Sequence, residues 1–253
     1  MTSEPVAGPG GPQAPSAAGT LRAVVVDGRH GPLPALLLAL TVLAGVVDAV
    51  SIAGLDHVFV AAQTGNLVLI GLGAAGIRGF SVVASAISLV SFLAGALAGT
   101  RICRGSGDHR GRALRNVTVF KAVLAIPVTL VALLTGDPFD DGVRIVLTIL
   151  LAASMGSQLA LIRYLKVPDL MTAVMTLTMT GALTDHVSGP RDLVLLRRGM
   201  ALVAFAAGVI AGGLLIRFVS AGAALALGLA IIVAVIVASH LVSRTPAPWA
   251  APR

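Results

Sequence analysis

Asp48, in Gly45-Val46-Val47-Asp48-Ala49, lies inside an apolar run long enough to cross a bilayer. A carboxylate at membrane depth costs about 2.5–3.5 kcal/mol on insertion scales, so it is rarely kept without a use. A second apolar run carries Gln63-Thr64-Gly65-Asn66, where amides and a hydroxyl flank a glycine. Such a group suits a helix that breaks where its backbone can face something polar, and an unwound turn there could coordinate an ion or a small polar solute. Further along, Gln158 adds a polar group in the second half, and Thr172, Thr176, Thr180 and Thr184 recur every four residues, with Asp185 next. That spacing lines one helical face with hydroxyls.

Each of these groups has a structural reading beside the functional one. Asp48 fits a proton or cation site, or a carboxyl group hydrogen-bonded to a neighbouring helix. The Gln63–Asn66 group fits a ligand site, or interhelical hydrogen bonding around a close glycine contact. The threonines fit a polar pathway, or hydroxyls bonded back to the i−4 carbonyl. Lys121, about five residues into its apolar run, reads as a snorkelling lysine near one membrane face. By helix rise it lies on the order of 16 Å from Asp48 along the membrane normal, too far to be its partner.

The elements that must position these residues follow from composition. Of 253 residues, 57% are hydrophobic and only 11% are charged, and the mean hydropathy is +0.97. Soluble domains carry about 25% charged residues, so this chain lacks the polar surface of a water-exposed globule. Eight apolar segments of near-spanning length can be marked: Leu33–Gly54, Val58–Gly76, Phe80–Gly99, Val117–Gly136, Val143–Leu165, Pro168–Asp185, Gly199–Arg217 and Ala221–Val242. The expected fold is all-α, a polytopic integral membrane bundle over residues 32–243. Residues 1–31, rich in Gly, Pro, Ala and Ser, read as a disordered tail, and 244–253 as an unstructured C-terminal tail.

Two internal repeats are expected, over about 33–136 and 143–242. Gly45-x-x-x-Ala49 returns as Gly156-x-x-x-Ala160, and Thr64 has a counterpart in Thr176. Phe92-x-Ala94-Gly95-x-x-Ala98-Gly99 returns as Phe205-x-Ala207-Gly208-x-x-Ala211-Gly212. The offsets stay nearly constant along the chain. The Gly-x-x-x-Gly pairs read as close helix packing.

Basic residues decide between span counts. With eight full spans, Arg and Lys divide nine to eight between the two sides. With the second and sixth segments dipping in and returning as broken or re-entrant helices, fourteen lie on the side of the termini and three, Arg78, Arg144 and Arg217, on the other. Membrane proteins show a clear bias of this kind, which favours six full spans with both termini cytoplasmic. Three spans per repeat also invert the second repeat against the first, a recurrent transporter plan.

The net charge of +7 does not point to nucleic acid, because the basic residues lie between the apolar runs as membrane anchoring requires. Cys103 is the single cysteine, and the five histidines show no metal-ligand spacing, so neither a metal nor another cofactor is expected. No Walker loop, nucleophile elbow or His-Glu-x-x-His motif is visible, and an enzyme is not expected. Asp48 and Asp185 evoke an intramembrane aspartyl protease, but neither stands in a Gly-x-Gly-Asp motif.

Gly45-Val-Val-Asp48-Ala49, Phe59, Thr64-Gly65-Asn66, Gly156-x-Gln158 and Val167-Pro168-Asp169-Leu170-Met171-Thr172 leading into Thr176 resemble the YoaK-like family. These are small bacterial inner-membrane proteins of the domain-of-unknown-function class. The resemblance spans roughly residues 33–242 and implies a multipass protein with about six spans; it supplies no substrate. Leu159 and Leu177 depart from the family pattern, where Asn and Gly are expected, so the two halves need not play equal roles. The leading expectation is a secondary transporter or permease for a small solute or ion, proton-coupled through Asp48. Its binding residues would be Asp48, Gln63, Thr64, Gly65, Asn66, Gln158, Thr172, Thr176 and Thr180. The alternative is a non-transporting membrane scaffold or sensor. The expected partners are the lipid bilayer and that solute or ion, and a homo-oligomer is left open.

Overall fold

The computed structural model describes residues 30–107, 109–167 and 192–243. Among them are seven helices: α1 (Leu33–Gly54), α2 (Gln63–Ala74), α3 (Val82–Gly105), α4 (Arg110–Thr135), α5 (Asp141–Leu165), α6 (Asp192–Phe218) and α7 (Ala221–Ser243). The sixth apolar segment, with Thr172, Thr176, Thr180, Thr184 and Asp185, lies outside the described residues, as do both expected tails.

Six helices are long and apolar enough to cross a membrane. The exception is α2, whose 12 residues cover about 18 Å, short of the ~30 Å hydrocarbon core. Several long helices run past the apolar segments marked in the sequence. α4 starts at Arg110 rather than at Val117, and α3 continues to Gly105. Hydropathy marks only the hydrocarbon-embedded turns, whereas the helices continue beyond them on arginines, of which Arg101, Arg104 and Arg112 are exposed.

The ends of the bundle can be read from polar ties. Near the start of α4, Arg110 donates to the Leu165 carbonyl at the end of α5 and meets His30 just before α1. Tyr164 Oη donates to the Gly107 carbonyl after α3, at 3.1 Å. At the opposite end Arg144, near the start of α5, pairs with Asp56 just after α1. There also the Ala221 amide, opening α7, donates to Asp137 after α4, at 2.7 Å. Successive long helices therefore alternate in direction, and one end of the bundle is basic while the other carries Asp56, Asp137, Asp140 and Asp141.

α1 and α5 form the centre, with 56% and 61% of their apolar windows buried and no more than 44% in the other four. The main contacts pair α3 with α5, α1 with α6, α4 with α7, α1 with α7, α4 with α5, and α2 with α3. The outer helices turn large apolar side chains outward, among them Val90, Leu93, Val123, Leu134, Val203, Ile210 and Val237. Such a belt suits lipid and not water.

Glycines set the closest approaches. A Cβ on Gly45 of α1 would meet the Phe205 carbonyl of α6, and one on Gly208 of α6 would meet the Val42 carbonyl of α1. In the same way a Cβ on Gly156 of α5 would meet the Phe92 carbonyl of α3, and one on Gly95 of α3 would meet the Ala153 carbonyl of α5. These backbones touch because nothing stands between them, and dispersion over the whole contact then holds the helices together.

Candidate functional site

Between α1 and α2 the chain leaves helical geometry over residues 55–62. Asp56 and His57 there take left-handed conformations, φ 54° and 58°. Backbone groups released inside a membrane protein need internal partners. Asn66, fully buried, supplies them for Phe59. Its Oδ1 accepts from the Phe59 amide at 2.9 Å, and its Nδ2 donates to the Phe59 carbonyl at 2.6 Å. Ser88 of α3 donates to that same carbonyl at 2.6 Å. Gln63 donates to the Val60 carbonyl at 3.1 Å and accepts from Asn66 at 2.8 Å. Gly65 is needed for space: a Cβ there would come within 2.5 Å of the Phe59 ring. Thr64 is exposed.

Gln63 and Asn66 thus hold the break in shape. Replacing Asn66 by Ala removes two hydrogen bonds to the part-buried backbone of Phe59. The expected cost is about 2–3 kcal/mol, measured by denaturant titration in detergent.

Asp48 faces the same break. The Ala61 backbone lies near its carboxyl group, while its Oδ1 is buried with no hydrogen-bond partner. Ser85 of α3 is fully buried, and its hydroxyl is likewise unpartnered. The third such atom among the described residues is Arg144 Nε.

Gln158 sits apart from this group. Its Nε2 donates to the Leu40 carbonyl of α1 at 3.0 Å, and its Oε1 accepts from Lys121 Nζ at 2.5 Å. Leu40 is eight residues before Asp48, about 12 Å along the α1 axis. Lys121 is fully buried, which corrects the snorkelling reading. Its Nζ also lies 3.5 Å from the Ser154 carbonyl and 3.9 Å from Met155 Sδ. The reason is the face and not the depth. Lys121 shares the inward stripe of α4 with Thr118, Ala125, Val128 and Ala132, so its amine points at α5 and cannot reach the interface. That stripe was present in the sequence as helical spacing. Lys121 is hydrogen-bonded to Gln158 and not to Asp48, and Arg144 forms ion pairs with Asp56 and Asp141.

A cavity of about 480 Å³ opens at the acidic end, lined by Ile52, Gly54, Asp56, His57, Ser81 and Arg144 among others. The end of α1 and the residues leading into α3 share its wall, so the chain returns after α2 to the end it left. Arg144 Nη1 holds Asp56 Oδ1 at 2.7 Å, and His57 Nδ1 is tied to the Ile52 carbonyl at 2.8 Å. The sequence offered no link between Asp56 and Arg144, which stand 88 residues apart. No set of three His, Cys, Asp or Glu residues among the described ones could hold a metal ion. A Gly-x-Gly-Asp tetrad does occur in the sequence at residues 105–108, beginning at the last residue of α3.

Six helices long and apolar enough to cross a membrane among the described residues define a multipass helical membrane protein. A family model described as "Protein of unknown function (DUF1275)" matches residues 36–238, and the chain belongs to that family. It is also similar to the UPF0700 transmembrane protein YoaK of Bacillus subtilis (strain 168), 29% identical over 187 residues, covering 69% of this chain and 80% of that one. No solved structure matches.

Proposed function

We propose that the protein is a secondary transporter or permease for a small solute or ion, with Asp48 as its coupling group. The observation that carries this reading is Asp48 itself: a carboxyl group with one oxygen unpartnered, set against an unwound stretch of backbone between two helices. Transporter sites are commonly built at such interruptions, where broken helices and side chains face a solute.

The packing supports an inverted repeat. Exchanging α1 with α5, α3 with α6 and α4 with α7 turns α3–α5 into α1–α6 and α1–α7 into α4–α5, and leaves α4–α7 unchanged. The reciprocal glycine contacts of Gly45 with α6 and Gly156 with α3 follow the same exchange. α1 and α5 run in opposite directions, as three spans per repeat require. Two such halves can rock against each other around a fixed site.

The short α2 and the shared wall of the cavity support a re-entrant second segment; the gathering of basic residues at the end of the termini favours placing that end in the cytoplasm of a bacterial inner membrane by the positive-inside rule. In a Cys103→Ser background, a cysteine at position 78 is expected to react with an impermeant maleimide in intact cells, and one at 109 not to react. Eight full spans would reverse that result.

Asp48→Asn tests the functional reading. In proteoliposomes it is expected to abolish flux driven by a pH gradient while leaving the melting temperature close to wild type. The second reading, a non-transporting scaffold or sensor, is favoured by the use of Asn66, Gln63 and Ser88 on backbone groups. It predicts instead that Asp48→Asn shifts stability and that no flux exists to lose.

A further inference from the structure

Five arginines stand between residues 101 and 115, against one acidic residue, Asp108. Arg101 and Arg104 lie in the last turns of α3, and Arg110, Arg112 and Arg115 in the first turns of α4. Asn116 Nδ2 donates to Ser106 Oγ at 3.0 Å, which holds the start of α4 beside the end of α3. The two sets of arginines therefore share one corner of the basic end. Arg110 is turned inward to His30 and the Leu165 carbonyl, whereas Arg101, Arg104 and Arg112 are exposed. Among the described residues no side chain engages the guanidinium groups of these three.

The face they occupy sets them apart. On α3 the exposed Val83, Val90, Leu93 and Leu97 fall with Arg101 and Arg104 inside about a quarter-turn of the helix. On α4 the exposed Val119, Val123, Ile126 and Leu130 fall inside a similar arc with Arg112. Both arcs lie opposite the buried faces of their helices. Each helix thus carries an apolar strip suited to lipid that ends, without a change of face, in arginine. From Leu97 back to Val83 the α3 strip runs about 21 Å, more than the ~15 Å of hydrocarbon in one leaflet. Orientation by positive charge is satisfied by basic residues anywhere in a connection and does not require them on this strip. Arg112 also stands in the first turn of α4, at the positive end of the helix dipole, where a cation is disfavoured. An anion on the lipid side offsets that cost.

We propose that the outward surface of α3 and α4 at the basic end binds an anionic phospholipid, its phosphate held by Arg101, Arg104 and Arg112 and its acyl chains laid along the two apolar strips. Guanidinium groups meet phosphate oxygens through paired N–H donors, which suits this headgroup. A zwitterionic headgroup would set its own ammonium against three arginines. The site does not depend on transport. With the basic end cytoplasmic, the lipid belongs to the cytoplasmic leaflet, whose anionic lipids attract basic segments beside a span.

The test titrates the full chain, purified in detergent, with phosphatidylglycerol or phosphatidylcholine of the same acyl chains, and reads the lipid retained by native mass spectrometry. Phosphatidylglycerol is expected to bind at least about tenfold more tightly than phosphatidylcholine, and glycerol phosphate at equal concentration not to displace it. Arg101→Gln/Arg104→Gln should weaken phosphatidylglycerol binding by about tenfold or more. Arg163→Gln/Lys166→Gln removes two exposed charges from α5 at the same end and should leave binding within about twofold of wild type. The two-lipid comparison uses the unaltered protein, so a variant that misfolds does not blunt it.

The proposal is overturned if phosphatidylcholine binds as well as phosphatidylglycerol or if glycerol phosphate displaces the lipid. It is overturned equally if folded Arg101→Gln/Arg104→Gln binds unchanged, or if the α5 variant loses as much, which would mean diffuse attraction to a basic end and no site on α3 and α4.

Discussion

Gly156→Leu is expected to abolish the native fold, and Gly156→Ala to destabilise it by about 3 kcal/mol, near the upper end of ordinary overpacking. A Cβ at position 156 would run into the Phe92 carbonyl and come within 2.8 Å of the Ala96 amide nitrogen. Both are helix backbone, and neither can step aside like the end of a flexible side chain. α5 would have to lift away from α3, and α3–α5 is among the closest glycine-mediated contacts of the bundle. Gly45→Ala should behave alike, because the Phe205 carbonyl stands in the same relation to it. Gly71→Ala is the control. It meets nothing within 4 Å and should raise stability by about 0.5–1 kcal/mol, since alanine restricts the unfolded chain and favours the helix. Denaturant titration in a single detergent reads all of these variants on one scale.

The second large effect concerns Lys121 and Gln158. Gln158→Leu is expected to cost about 3–5 kcal/mol, because it leaves a fully buried amine without its nearest acceptor. Lys121→Met should cost much less. It removes the group that needs solvating and fills the space with a flexible apolar chain. The double variant should be more stable than Gln158→Leu alone, a non-additivity that a double-mutant cycle measures directly. Additive losses would mean that the 2.5 Å contact contributes nothing as a pair. Flux measurements on Lys121→Met then show whether the amine has a task beyond packing. Its place, bonded to Gln158, which is bonded to the Leu40 carbonyl, ties α4, α5 and α1 at a level below Asp48.

Much of the molecule was legible in the residue order. Run length and the scarcity of charge identify the spans, since a bilayer of fixed thickness imposes a fixed length of apolar helix. The distribution of arginines marks two unlike ends. The spacing of Gly45, Gly95, Gly156 and Gly208 marks the helix contacts, because only a missing side chain permits backbones to meet so closely. Asp48 and Asn66 stood out because polar groups in apolar runs are costly. What each does was not legible. Asn66 proves to clasp the Phe59 backbone, and Lys121 proves to face inward, because a face is chosen by neighbours from distant parts of the chain. Only the tertiary fold brought Asp56 to Arg144, joined Lys121 to Gln158, and left Asp48 Oδ1 buried without a partner. Hydropathy is a property of a residue and its near neighbours and can be read along a line. Hydrogen-bond partnership depends on direction and distance in three dimensions, and it exists only once the helices have packed.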